Sequence, residues 1–206
     1  MAERGLDKVS VSVSDACDWS AWVSGKLNEA IIENTTSRKR VVAACFAVVL
    51  DHFDAILALL GRNPKICSSA FALMRLTYES YVRGLWLAYC ANDDEVERFS
   101  ANNFELPRTP KMIEAIESVG FDKHLFNVYS IHWKQLCDYT HTGTLQIQRW
   151  NTAFAIEPNY SDDEIIDVVR FSRGYAFAAA VSFAESVIEN SSLANEIFKK
   201  GKQDIT

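Results

Sequence analysis

Arg75, Glu79 and Arg83 stand at positions i, i+4 and i+8 and set one carboxylate between two guanidiniums. At 100° per residue the three fall within an arc of about 80° on a helix. Such a stripe supports two kinds of chemistry. Glu79 can bridge both arginines as a structural network, worth only about 0.3–0.5 kcal/mol per exposed pair. Alternatively, it can hold an arginine fork ready to grip a phosphate or carboxylate. Trp86 and Leu76 share the sector, so the stripe is not a plain solvent face. Gly84, beside Arg83, is a poor helix former and suggests a close approach by a second helix.

The segment 132–143 reads HWKQLCDYTHTG. Lys134 and His141 are seven residues apart. If the helix runs through, both point the same way, about 10 Å apart along the axis. Asp138 lies between them. One reading is a surface chain of Lys134, Asp138 and His141, with a protonated histidine favoured at the helix C-terminus. The other is a histidine placed for proton transfer, with Lys134 supplying positive charge to an oxyanion. Arg149, Gln146 and Trp150 follow closely.

Elsewhere, His52 falls on a largely apolar sector of its helix, beside Asp51. It reads either as a core histidine with one partner or as a site histidine behind a carboxylate. Neither a P-loop nor a Glu-x-x-His di-iron pair occurs. Asp138 and His141 alone are a weak metal pair, so neither metal nor cofactor is expected.

The helix Arg75-Leu-Thr-Tyr-Glu79-Ser-Tyr-Val-Arg83-Gly-Leu-Trp86, followed later by Asp138-Tyr-Thr-His141-Thr-Gly143, resembles an uncharacterised bacterial helical family. Its members pair an R-x-x-x-E helix with a late histidine-glycine turn. That pattern in turn resembles the HEPN superfamily (higher eukaryotes and prokaryotes nucleotide-binding) over roughly residues 64–143. HEPN domains are helical bundles, often dimeric. Many are metal-independent ribonucleases of toxin–antitoxin and phage-defence systems, with an arginine four to six residues before a histidine. Here His141 matches the histidine and Lys134 stands at the arginine position, six residues lying between them.

The resemblance implies that His141 is a general acid or base on RNA, with Lys134, and Arg75 or Arg83, stabilising phosphorane charge. It also implies a homodimer that brings two sites together, with Arg149 holding RNA backbone. The competing reading is a non-catalytic helical module that binds a protein partner or a small ligand.

The elements needed to position these residues are helical throughout. Apolar spacing predicts a helix over 15–33. A second runs to Leu60 from a Thr36 or Ser37 cap, with Gly61 left-handed beyond it. A third runs from an Asn63 cap with Pro64 at its first position to about Tyr89 or Ala91. Short helices follow over 93–101 and 110–118, then a longer one from Asp122 to between 139 and 142. Residues 144–160 fit a short helix or an extended stretch. Ser161 and Glu164 form a capping box that opens a helix to about residue 189, and a last helix covers 191–200. The expectation is an all-α, HEPN-like bundle of four or five long helices in one domain over 1–206. Residues 1–14 are a flexible N-terminus and 201–206 a polar tail.

Lys and Arg total 21 against 27 Asp and Glu, a net charge of −6. That balance excludes a protein that coats nucleic acid by bulk charge, and confines any RNA contact to a small pocket. The five cysteines are odd in number and widely spaced, which is not a disulfide framework. No secretory leader is evident in residues 1–14. The apolar run from Val41 to Leu60 carries Asp51 and Asp54, so it is expected in a protein core rather than a membrane. A cytoplasmic location is expected.

Overall fold

The computed structural model describes residues 7–203. Among them the chain forms nine helices: α1 (Lys8–Asn28), α2 (Ser37–Leu60), α3 (Cys67–Tyr89), α4 (Asp93–Ser100), α5 (Thr109–Ser118), α6 (His124–Thr140), α7 (Thr144–Gln148), α8 (Asp162–Ser186) and α9 (Ser191–Gln203). No strand is present in this range, only an isolated antiparallel bridge between Asn151 and Ile156. The long helices are α1, α2, α3, α6 and α8, as the apolar spacing predicts.

Helix α3 is the axis of the molecule. It packs on α2, α5, α6 and α8. Tyr78, Val82, Leu85 and Leu87 are buried along it. Two apolar clusters share α2, α3 and α8. One gathers Trp19, Phe53, Phe71 and Val169 with α1 and α9. The other gathers Phe46, Tyr78, Ile113 and Tyr175 with α5 and α6. Trp133 and Phe171 touch both clusters and join them.

Local signals set most boundaries. Thr36 caps α2 by accepting from the Lys39 N–H, at 3.1 Å. Asn92 with Glu95, and Ser161 with Glu164, form reciprocal capping boxes at α4 and α8. The ambiguous stretch 144–160 holds both expected forms, α7 followed by the bridged loop 151–156.

Other boundaries differ from expectation. Helix α1 starts at Lys8, because Asp7 accepts from the Ser10 N–H and Val9, Val13 and Ala16 are buried. Burial overrides the weak helix preference of the β-branched run there. Residues 8–14 of the expected flexible N-terminus are thus helix, with Asp7 as their cap; residues 1–6 lie outside the described range, as do residues 204–206 of the expected tail. Gly61 is right-handed, with φ −75°. Helix α3 begins at Cys67 rather than Pro64, because the Ile66 N–H turns back to the Leu59 carbonyl at 3.0 Å. Helix α6 begins at His124, whose N–H is taken by the Asp122 side chain. Apolar spacing on α3 places Tyr89 on the same face as Tyr78, Val82 and Leu85, yet at the end of the helix it is 41% exposed.

Helix α2 is long and apolar enough to cross a membrane by length and composition alone. It packs one face on α3 and α8, and the opposite face exposes Arg40, Ala44, Ala47, Asp51 and Ala58. It is thus a helix with one face in the protein core and one in solvent. The α2–α3 approach depends on Gly84. A Cβ there would lie 2.5 Å from Phe46 Cε1, and the Phe46 ring is wholly buried.

Gly84→Ala should therefore destabilise the fold. Overpacking of this kind costs about 1–3 kcal/mol, against about 1 kcal/mol regained in helix propensity. The expected net loss is a drop in Tm of a few degrees by circular dichroism, at about 2–4 °C per kcal/mol for a chain of this size.

Candidate functional site

Arg75, Glu79 and Arg83 lie on one face of α3, as their spacing requires, and form a connected triad. Glu79 is 7% exposed. Its Oε1 accepts from Arg75 Nε at 3.0 Å and lies 3.0 Å from Arg75 Nη2. Its Oε2 accepts from Arg83 Nη2 at 3.1 Å. A carboxylate this buried must be paired, because an isolated one pays a large desolvation penalty. With Nε and Nη2 both turned to Glu79, Arg75 leaves Nη1 free to reach outward.

Nη1 reaches His141. The Arg75 guanidinium hydrogen-bonds His141 Nε2 across the gap between α3 and the end of α6. A guanidinium has donors only, so Nε2 accepts and the ring proton sits on Nδ1. Trp133, two turns back along α6, lies under the same guanidinium, with Cζ 4.7 Å from the ring centroid. That stacking contributes about 0.5–1 kcal/mol at a partly exposed position. Glu79, Trp133 and His141 therefore hold Arg75 on three sides. Arg75 keeps 18% side-chain exposure, Arg83 keeps 40%, and His141 is exposed.

Antiparallel docking of α6 on α3 brings these residues together. At one end Tyr78 donates its hydroxyl to the Leu125 carbonyl at 2.8 Å. At the other, Thr140 Oγ1 donates to the Ala72 carbonyl at 3.2 Å, and Tyr139 packs edge-on against Phe71. Helix α6 then stops sharply. His141 is its C-cap, Thr142 is left-handed with φ 55°, and the Gly143 N–H closes on the Asp138 carbonyl at 2.7 Å. This is the Schellman closure. A Cβ on Gly143 would lie 2.8 Å from the Asp138 Cα, a backbone atom held by the helix, so the turn needs glycine there.

The other site residues of the sequence reading sit differently. Lys134 is exposed, and among the described residues no ion pair or hydrogen bond joins it to Asp138 or His141. Arg149 Nη2 is paired with Glu164, the residue that also completes the α8 capping box. Arg149 thereby ties α7 to the start of α8, and it makes no bond to Arg75 or His141. Trp150 is 38% exposed. The role of Trp133 was not drawn from the sequence. Its signal was an indole eight residues before a histidine, which puts the two on nearby faces of one helix.

His52 is half-buried on α2. Burial holds its pKa below the ordinary histidine value, and neighbouring Asp51 opposes that shift only in part. Burial also pushes the Cys45 thiol up to about 11, so it stays a thiol. Among the described residues no group of three His, Cys, Asp or Glu could hold a metal ion.

Two outcomes follow from this geometry. A threonine in the left-handed region costs about 1–2 kcal/mol. Thr142→Gly should release most of that and raise Tm by a few degrees, read by calorimetry. For His52, the folded chain resists protonation more than the unfolded chain does. Stability should be full above the ordinary histidine pKa of about 6.5 and fall as pH drops below it. His52→Gln should flatten that fall between about pH 7 and pH 5 in a series of urea titrations.

No curated protein and no solved structure matches the chain. A family comparison does find a match, over residues 46–203. That stretch holds Arg75, Glu79, Arg83, Trp133 and His141, and with it the chain belongs to the family of unknown function DUF6988.

Proposed function

We propose that the chain is a HEPN-like, RNA-directed protein that cleaves phosphodiesters without a metal, using Arg75 and His141. The observation that carries this is the Arg75–His141 hydrogen bond, with the guanidinium fixed by Glu79 and Trp133. Cleavage needs a base for the ribose 2′-hydroxyl and a cation for the phosphorane. His141 presents its Nε2 lone pair to the Arg75 guanidinium. An RNA phosphate drawn onto Arg75 Nη1 displaces that bond and leaves Nε2 free to accept the 2′-hydroxyl proton. The 2′-oxygen then attacks phosphorus, the bond to the 5′-oxygen breaks, and that oxygen leaves with a proton from water, whose hydroxide is neutralised by the proton that His141 had taken. The products are a 2′,3′-cyclic phosphate and a 5′-hydroxyl.

In this reading Arg75 takes the part expected of Lys134, and it does so within one chain. A homodimer then extends the RNA-binding surface rather than completing the site. Arg83, 40% exposed, is placed to hold a second phosphate, with Lys134 as a peripheral cation. The biological setting that fits is a bacterial toxin or phage-defence protein acting in the cytoplasm.

The test is incubation of purified protein with total RNA in the presence of EDTA. Wild type should yield fragments ending in 2′,3′-cyclic phosphate. His141→Ala and Arg75→Ala should each slow this at least about a hundredfold, the usual contribution of a positioned acid–base or charge-stabilising group. Equal cleavage by wild type and His141→Ala, or none by either, overturns the catalytic reading.

A second reading, a non-catalytic module for a protein partner or small ligand, is favoured by the bridged loop after α7. Phe154 there is fully exposed and Ile156 is 85% exposed. Under that reading His141→Ala is indistinguishable from wild type with RNA.

A further inference from the structure

Helices α6 and α8 both pack on α3, and they leave between them a cleft of about 520 Å³. This lies within the range of small-molecule sites. Tyr81 and Leu85 of α3 form its floor, and Val128, Phe171 and Tyr175 line its walls. None of its lining residues belongs to the Arg75–His141 cluster.

Three features distinguish this cleft from a packing gap. The first is Gly174, which lines it from the middle of α8, where glycine costs about 1 kcal/mol relative to alanine. Gly84 and Gly143 each accommodate a neighbouring side chain. A Cβ on Gly174 would meet nothing within 4 Å, so no protein group explains the residue. The second is Tyr175, whose buried hydroxyl has no hydrogen-bond partner among the described residues. A buried polar group left unpaired costs about 1–3 kcal/mol. The third is the polarity of the rim. His124 and His132 stand there beside Arg170, the one cation among the lining residues, and Asp122, the one acid. Asp122 already accepts from the His124 N–H at 2.9 Å. Arg170 is bound only loosely, 3.6 Å from Asp167, with both side chains about three-quarters exposed.

We infer that this cleft binds a small organic carboxylate, its aromatic or branched apolar body between Tyr81, Phe171 and Tyr175 and its carboxylate at Arg170 and the rim histidines. The inference is independent of the RNA reading. The aromatic walls select a flat or branched body, because they offer ring faces and edges at low entropic cost. The rim selects the anion, because Arg170 offers a planar fork that matches a carboxylate. Gly174 keeps the mouth open for the body to enter.

The test is isothermal titration of the full chain with 1-naphthaleneacetate and, in parallel, the uncharged 1-naphthaleneacetamide. The acetate should bind saturably at one site per chain, and the acetamide at least tenfold more weakly. Gly174→Leu fills the mouth and should weaken acetate binding at least tenfold while the helical circular dichroism is retained. Arg170→Gln should weaken the acetate at least tenfold and leave the acetamide unchanged. Arg75→Ala, which disables the proposed RNA site, should change neither. Absence of saturable acetate binding overturns the inference, as does acetate binding that Gly174→Leu leaves intact. Equal binding of acetate and acetamide overturns the assignment of an anion. If Gly174→Leu loses its helical signal, Arg170→Gln on the protein surface decides between the outcomes.

Discussion

The Glu79 carboxylate is the group on which the functional face of α3 depends. It sits 7% exposed on the central helix, in a position where an unpaired charge is not tolerated. Arg75 and Arg83 neutralise it from one turn before and one turn after. The arrangement runs in both directions, since the acid also fixes two long cationic side chains that would otherwise sample many rotamers. An exposed pair of this type contributes little to stability. A pair anchored on a buried carboxylate is stiffer, because removing either partner strands a charge out of water. That stiffness aims Arg75 Nη1 across the helix boundary at His141.

Much of the fold was legible because it is written in short-range chemistry. The capping boxes of α4 and α8 and the Thr36 cap declare themselves within four residues. The five long helices follow from apolar spacing. Gly84 signalled a close contact, and Phe46 proved to be the partner. Where the reading failed, a distant contact decided the outcome. Helix α1 extends to Lys8 because Val9 and Val13 find a core, and the turn before α3 is set by a bond from Ile66 back to Leu59.

The site was legible in its members and not in its pairings. Arg75, Glu79 and Arg83 declare their own geometry through i, i+4 spacing. Along α6, spacing set Lys134 on the same face as His141, about 10 Å away, and the resemblance gave Lys134 the arginine's place. The chain ends α6 at Thr140, inside the expected range, and the histidine just beyond it meets an arginine 66 residues earlier. No local pattern encodes a contact made by two helices docking antiparallel. Arg149 illustrates the converse case. It looked like a free cation near the site, and its partner Glu164 lies in a capping motif recognised for another reason.

Trp133 has a property that follows from its position alone. Its ring takes the Arg75 guanidinium at 4.7 Å, Tyr129 at 4.7 Å and Tyr78 at 6.4 Å, and Tyr78 in turn meets Tyr175 in the wall of the cleft. An indole is the dominant natural fluorophore of a protein, and here one is wedged between a charged group and a file of phenol rings. Any slip of α6 along α3 alters the field and the ring contacts at this indole together. One of the five tryptophans thus acts as an optical gauge, set at the seam where α3 and α6 meet.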